Sequence, residues 1–158
     1  MNIERDESGG FEFSEVEAPF AALFLSIPAA ANPEGSQAAQ DRLYPAPSAE
    51  LRDEWDELVR PELRAWFEAA TQTVERDLQP LAAGENTLRI PSGHVDAWLL
   101  ALNQARLALA ARHELGEADL NRPPMAPPRD KRDLAISQIH TFGLLQECLL
   151  QGLEEEED

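Results

Sequence analysis

Between Ser92 and His113 the chain offers no broad polar face. Val95, Trp98, Leu99, Leu100, Leu102, Leu107 and Leu109 spread round most of a helical cylinder, and Ala97, Ala101, Ala105, Ala108 and Ala110 fill the gaps between them. A helix that is apolar nearly all round is stable in water only when other elements cover it on several sides. The remaining segments must therefore supply a shell around a central helix at 93–113. Ser92 reads as its cap and Gly116 as its stop.

The shell is visible as further helical stripes. Ile136, Ile139, Phe142, Leu145, Leu149 and Leu153 recur at steps of three or four, broadened by Leu134, Leu144 and Leu150, and Asp130 or Asp133 could cap that helix. A second stripe runs through Leu51, Trp55, Val59, Leu63, Phe67, Ala70, Val74 and Leu78 behind Ser48. It keeps its phase across Pro61, so the sequence predicts a break or sharp kink near Arg60, and Pro80 is expected to end the pattern. Val16, Phe20, Leu23 and Ile27 form a shorter stripe behind a Ser14–Glu17 capping box, closed by Pro28. Residues 29–47 read as loop. So do residues 117–129, which hold Pro123, Pro124, Pro127 and Pro128. Phe11–Phe13 and Leu88–Ile90 read as short extended pieces, which either pair as a two-stranded β ribbon or stay apart.

The expectation is a mainly α protein: a single-domain helical bundle of four to five helices over 11–153. The 93–113 and 133–153 helices form its core, with the 48–79 region packed across them. Residues 1–10 are expected to be disordered, and residues 154–158 to fray as an acidic tail. A chain of 158 residues needs no staple, since at this size about 70% of the unfolded surface is buried on folding.

Charge narrows the function classes. Against 13 Lys and Arg stand 30 Asp and Glu, a net charge of −17. Phosphate repels such a surface, so direct nucleic-acid binding is not expected. No apolar stretch reaches membrane-spanning length. Met1 to Gly10 is too acidic for a signal peptide. A cytoplasmic location is expected. His94, His113 and His140 have no histidine partner three or four residues away, and Glu54 with Glu57 or Glu50 with Asp53 reads as a solvated acidic face, so no metal or other cofactor is expected. Cys148, the single cysteine, lies beside Gln146 and Glu147 on an apolar helix, a setting for core filler rather than a reactive thiol.

Two constellations remain. Asn103 and Arg106 lie one turn apart inside the apolar central helix, and the last helix offers Gln146 and Glu147. A buried charge is costly unless paired. Arg106 is therefore expected to meet Glu147, supported by Asn103, either as a purely structural register lock or as a small polar pocket for a ligand or partner. Arg122, Arg129, Lys131 and Arg132 form the one basic patch. It is either a solvated loop, a docking strip for an acidic partner or a tether for the acidic tail.

Three segments carry a family resemblance. Residues 98–109, WLLALNQARLAL, resemble the signature of the family known as domain of unknown function 2017. Residues 144–149, LLQECL, resemble its C-terminal helix, and Arg42-Leu43-Tyr44-Pro45 resembles a motif ahead of its second helical region. Order and spacing agree from about Gly10 to Leu153, while the loops diverge. The resemblance implies a helical protein of a mostly actinobacterial family, with genes often near that of the Clp protease adaptor. Some members are described as oxidative-stress transcription regulators that use a cysteine pair separated by four residues. With Cys148 alone, that intramolecular switch does not carry over. The expected role is a non-enzymatic protein-interaction or regulatory (stress-response or transcription-linked) protein acting through a protein partner. The alternative is a small-molecule binding protein or enzyme with a pocket near Arg106. Three tryptophans and long apolar helices leave a homodimer open.

Overall fold

The central helix is α6, Val95–Arg112, and it is covered as its composition demands. Val95, Trp98, Ala101, Leu102, Ala105, Ala108 and Leu109 are all buried. Full burial of a side chain such as Leu102 contributes about 1.5–3 kcal/mol. The computed structural model describes residues 1–123 and 127–157. Within them the other helices are α1 (Ala18–Leu25), α2 (Ile27–Ala31), α3 (Gln37–Leu43), α4 (Arg52–Leu58), α5 (Arg60–Ala82), α7 (Glu117–Leu120) and α8 (Lys131–Glu157). The protein is mainly helical. Helices α2, α3, α5 and α8 pack directly on α6.

The helix count exceeds the four to five expected because short helices occupy segments read as loop. Ser36 caps α3, its hydroxyl accepting from Ala39 N at 3.2 Å. This helix lies in the Ala-, Gln- and Ser-rich stretch that shows no apolar periodicity, because it contributes only Ala39 and Leu43 to the core. Pro28 sits in the first turn of α2 rather than ending α1, a position where its missing N–H costs nothing. The break near Arg60 is present, with Pro61 in the first turn of α5. Pro80 lies inside α5, which continues to Ala82.

The two extended pieces pair, and a third strand joins them. β1 (Asn2–Arg5), β2 (Phe11–Ser14) and β3 (Leu88–Ile90) form an antiparallel sheet in the order β1-β2-β3. Phe11 faces Ile90 and Phe13 faces Leu88 across β2 and β3, and all four side chains are buried. On the other face Arg89 Nε donates to Glu12 at 2.7 Å. Residues 1–10, expected to be disordered, are instead ordered by Asp6. Its Oδ1 accepts from Ser8 N, Ser8 Oγ and Gly10 N at 2.6–2.9 Å. Gly9, at φ +85°, supplies the left-handed residue of this turn. The Ser14–Glu17 capping box does not form: Ser14 belongs to β2, and Glu17 precedes α1 without a side-chain cap bond.

Helix α8 is capped by Asp130, whose Oδ1 accepts from Asp133 N at 2.8 Å, and continues through Glu157 instead of fraying at Glu154. The tail's Asp158 and the loop's Pro124 lie outside the described residues.

Candidate functional site

Polar residues on α6 leave the helix in three directions. Asn103 is exposed, Gln104 is buried and Arg106 is half-buried. Arg106 Nη1 donates to Gln146 Oε1 at 2.6 Å, and Gln146 Nε2 reaches Leu99 O at 3.4 Å. Glu147, the expected partner, is exposed, and Asn103, also exposed, joins no network among the described residues. Successive helical residues diverge by about 100°, so α8 can turn only one of Gln146 and Glu147 toward α6. A half-buried guanidinium keeps part of its hydration and needs no carboxylate. Gly143 leaves the space this requires: a Cβ there would stand 3.4 Å from Arg106 Cζ. The guanidinium lies at an open groove of about 630 Å³ lined also by Leu120, Ile139, Leu144 and Leu150. Its Nε has no hydrogen-bond partner among the described residues.

The basic patch is largely consumed within its own neighbourhood. Asp119 accepts from Arg132 Nη2 at 2.7 Å and pairs with Arg122 at 3.4 Å. Asp133 accepts from Arg129 N at 3.1 Å and Arg129 Nε at 2.9 Å. Lys131 is exposed. The Asp133 carboxyl is held below its usual range by the Arg129 side-chain bond first and the Arg129 backbone bond second. That of Asp119 is lowered first by the Gly116 N–H, with Arg132 adding. A depressed carboxyl stabilises the fold above its unfolded pKa, and this contribution drains as pH falls through the lower folded value. The stability gap between the native chain and Asp119→Asn/Asp133→Asn should hold constant from pH 7 to about 4.5 and close below about 3.8. Urea titrations across that range measure it. A gap independent of pH would remove these ion pairs from the account.

Cys148 is half-buried, and burial pushes its thiol pKa up, away from the reactive thiolate. His94 Nδ1 lies 2.9 Å from Asp77 Oδ2. That same oxygen accepts from Trp98 Nε1 at 2.8 Å, joining α5 to α6. His140 Nε2 lies 3.2 Å from Arg122 O. Burial lowers the pKa of His113 first, with Arg112 next. Among the described residues no three His, Cys, Asp or Glu side chains gather as a metal site.

The sequence reading passed over Gln104. It is 2% exposed, yet neither its Oε1 nor its Nε2 has a hydrogen-bond partner among the described residues. It lines a cleft of about 240 Å³ between the α2 end and α5, with Asn32, Glu34, Tyr44, Phe67, Glu68, Thr71 and Glu75 around it. Tyr44 stacks on Phe67 at 5.7 Å, and the Arg60 guanidinium lies 5.2 Å from its ring centre. Burial raises the Tyr44 pKa, against the pull of Arg64. A signal was available. Ala101, Gln104 and Ala108 share one helical face, and a small-residue face invites neighbouring backbones close enough to bury the glutamine between them.

Fold and clefts define a mainly α-helical protein with a small antiparallel sheet and two polar recesses on its central helix. The family model described as Domain of unknown function (DUF2017) matches residues 7–153, and the chain belongs to that family. No curated protein and no solved structure matches it. No helix among the described residues is long and apolar enough to cross a membrane.

Proposed function

We propose that this chain is a non-enzymatic cytoplasmic interaction protein that docks a protein partner in the groove where Arg106 surfaces. The observation that carries this is a half-buried guanidinium, fixed through Nη1 by Gln146, at a groove whose leucines face solvent. Leu144 is 67% and Leu150 47% exposed on that stretch of α8. Arginine set in an apolar surround is a composition enriched at interface hot spots. The fitting occupant is a segment with apolar side chains for the leucines and a carboxylate for Arg106. The regulatory role implied by the family resemblance would run through such a partner, such as a transcription factor, since a net charge of −17 opposes direct contact with DNA.

A photo-crosslinking residue at position 144, with position 57 on α4 as control, tests the reading in native extract. The expected result is one adduct of defined mass from position 144, reduced about tenfold by Arg106→Ala. Equal labelling from both positions, or an adduct indifferent to Arg106→Ala, would overturn it. An adduct of twice the chain's own mass would replace the partner with a second copy.

A further inference from the structure

A carboxamide without partners inside a folded protein is costly, because each polar atom has lost its water and gained nothing. Gln104 is in that position with both of its atoms, and it stands at a cleft rather than in sealed core. The chemistry that would answer it is narrow. Oε1 needs a donor and Nε2 needs an acceptor, and a primary amide, or the N–H and C=O of one extended peptide residue, supplies both on one side. The lining adds a second requirement. Glu34, Glu68 and Glu75 contribute three carboxylates, and no lining residue is basic. Arg64 stands 3.5 Å from Glu34 and shares a neighbouring recess with Glu68, so Glu75 is the rim carboxylate farthest from Arg64, with Glu68 about two turns nearer. These two, with Thr71 between them, lie on one face of α5, roughly 10 Å apart along the axis. Phe67, stacked on Tyr44, adds an apolar surface to the lining.

We propose that the cleft over Gln104 is a binding site for a small cation carrying an amide: a basic amino-acid amide, or the same grouping within a basic peptide. The amide reaches inward to exchange two hydrogen bonds with Gln104, and the ammonium or guanidinium remains at the rim between Glu68 and Glu75. A ligand ending in a carboxylate is disfavoured by the acidic rim. A neutral amide forgoes the rim. This site lies apart from the Arg106 groove and stands or falls independently of it.

The test is calorimetric titration of the full chain at low salt with L-argininamide, L-arginine and acetamide. A capped tripeptide with arginine at its centre serves as the peptide source. Argininamide should bind one to one, at least about tenfold more tightly than arginine or acetamide. Glu68→Gln/Glu75→Gln, which alters exposed side chains only, should weaken it about tenfold. Gln104→Leu should abolish binding while raising the melting temperature by about 2–4 °C, because the unpaired carboxamide is gone. If the tripeptide binds more tightly than argininamide the natural source is a peptide, and if more weakly, a free small molecule; either supports the site. No heat with argininamide, undiminished binding to Gln104→Leu, equal affinity for acetamide, or a lower melting temperature for Gln104→Leu would each overturn the proposal.

Discussion

Replacing Trp98 by alanine should cost the fold about 3–5 kcal/mol, the range for emptying a buried aromatic seat. Trp98 is fully buried on α6 in the main core cluster with Phe13, Val74, Leu102 and Leu149. The scale of the loss matters because a domain of this size has only about 5–15 kcal/mol of total stability. Packing is not the whole of it. The indole N–H donates to Asp77, whose side chain is 9% exposed, so the substitution also strips a donor from a nearly buried carboxylate. Trp98→Phe separates the two contributions. It keeps most of the ring and withdraws the N–H, with an expected loss of about 1.5–3 kcal/mol, the range for hydrogen bonds to charged groups. Urea unfolding of both variants and of Asp77→Asn reads these values from the shift in midpoint at constant slope. A loss below about 1 kcal/mol for Trp98→Ala would mean the indole is not seated as described, since few core truncations of this size are so mild.

Much of this architecture can be read from residue spacing, for a physical reason. The elements that announce themselves are those burying a long repeating face. Helices α5, α6 and α8 place apolar side chains at steps of three and four over many turns, and each appears within a few residues of its expected position. The elements that stay hidden bury little. Helix α3 contributes two residues to the core, and its cap, Ser36, is one serine among many small polar residues. Strand β1 is almost wholly exposed, so no alternation marks it; backbone pairing to β2 and the Asp6 turn hold it instead. Pairing between β2 and β3 rests on two alternating pairs of apolar residues, enough to suggest a ribbon but not its third strand.

The candidate sites divide along the same line. Arg106 and Gln146 were visible because a cation on an apolar helix demands an account, and they do meet. Which neighbour on α8 would answer Arg106 depended on helix rotation, and a difference of about 100° put Gln146 inward and Glu147 outward. Gln104 drew no attention because an uncharged amide on a helix is ordinary in sequence. Only the three-dimensional result, burial of both amide atoms without partners, makes it exceptional. The basic segment shows the converse. It stands out in an acidic chain, but Asp119 and Asp133 already engage its arginines. Isolated charges in a sequence advertise binding more loudly than the folded surface does.

Gly152 sets a second strong expectation, because it decides how α8 closes over the sheet. Glycine inside a helix costs up to about 1 kcal/mol relative to alanine. An exposed glycine here would therefore be improved by Gly152→Ala. The buried one should not be. A Cβ at position 152 would fall on the Phe11 ring, 2.7 Å from Cε1, and the ring is held against Ile90 across the sheet. Either α8 lifts or the ring leaves its seat, and overpacking of this kind costs about 1–3 kcal/mol. The expected outcome is net destabilisation by Gly152→Ala despite the gain in helix propensity, and a loss toward about 3 kcal/mol for the larger Gly152→Val. Coupling with Phe11 distinguishes this from a general helix effect. If the clash is the cause, Phe11→Leu should return most of what Gly152→Ala removes, so that the pair costs less than the sum of its parts. Thermal or urea unfolding of the four chains closes the cycle. A stabilising Gly152→Ala, or strictly additive losses, would show that α8 does not press on Phe11. The lower end of that helix would then be free to move relative to the sheet.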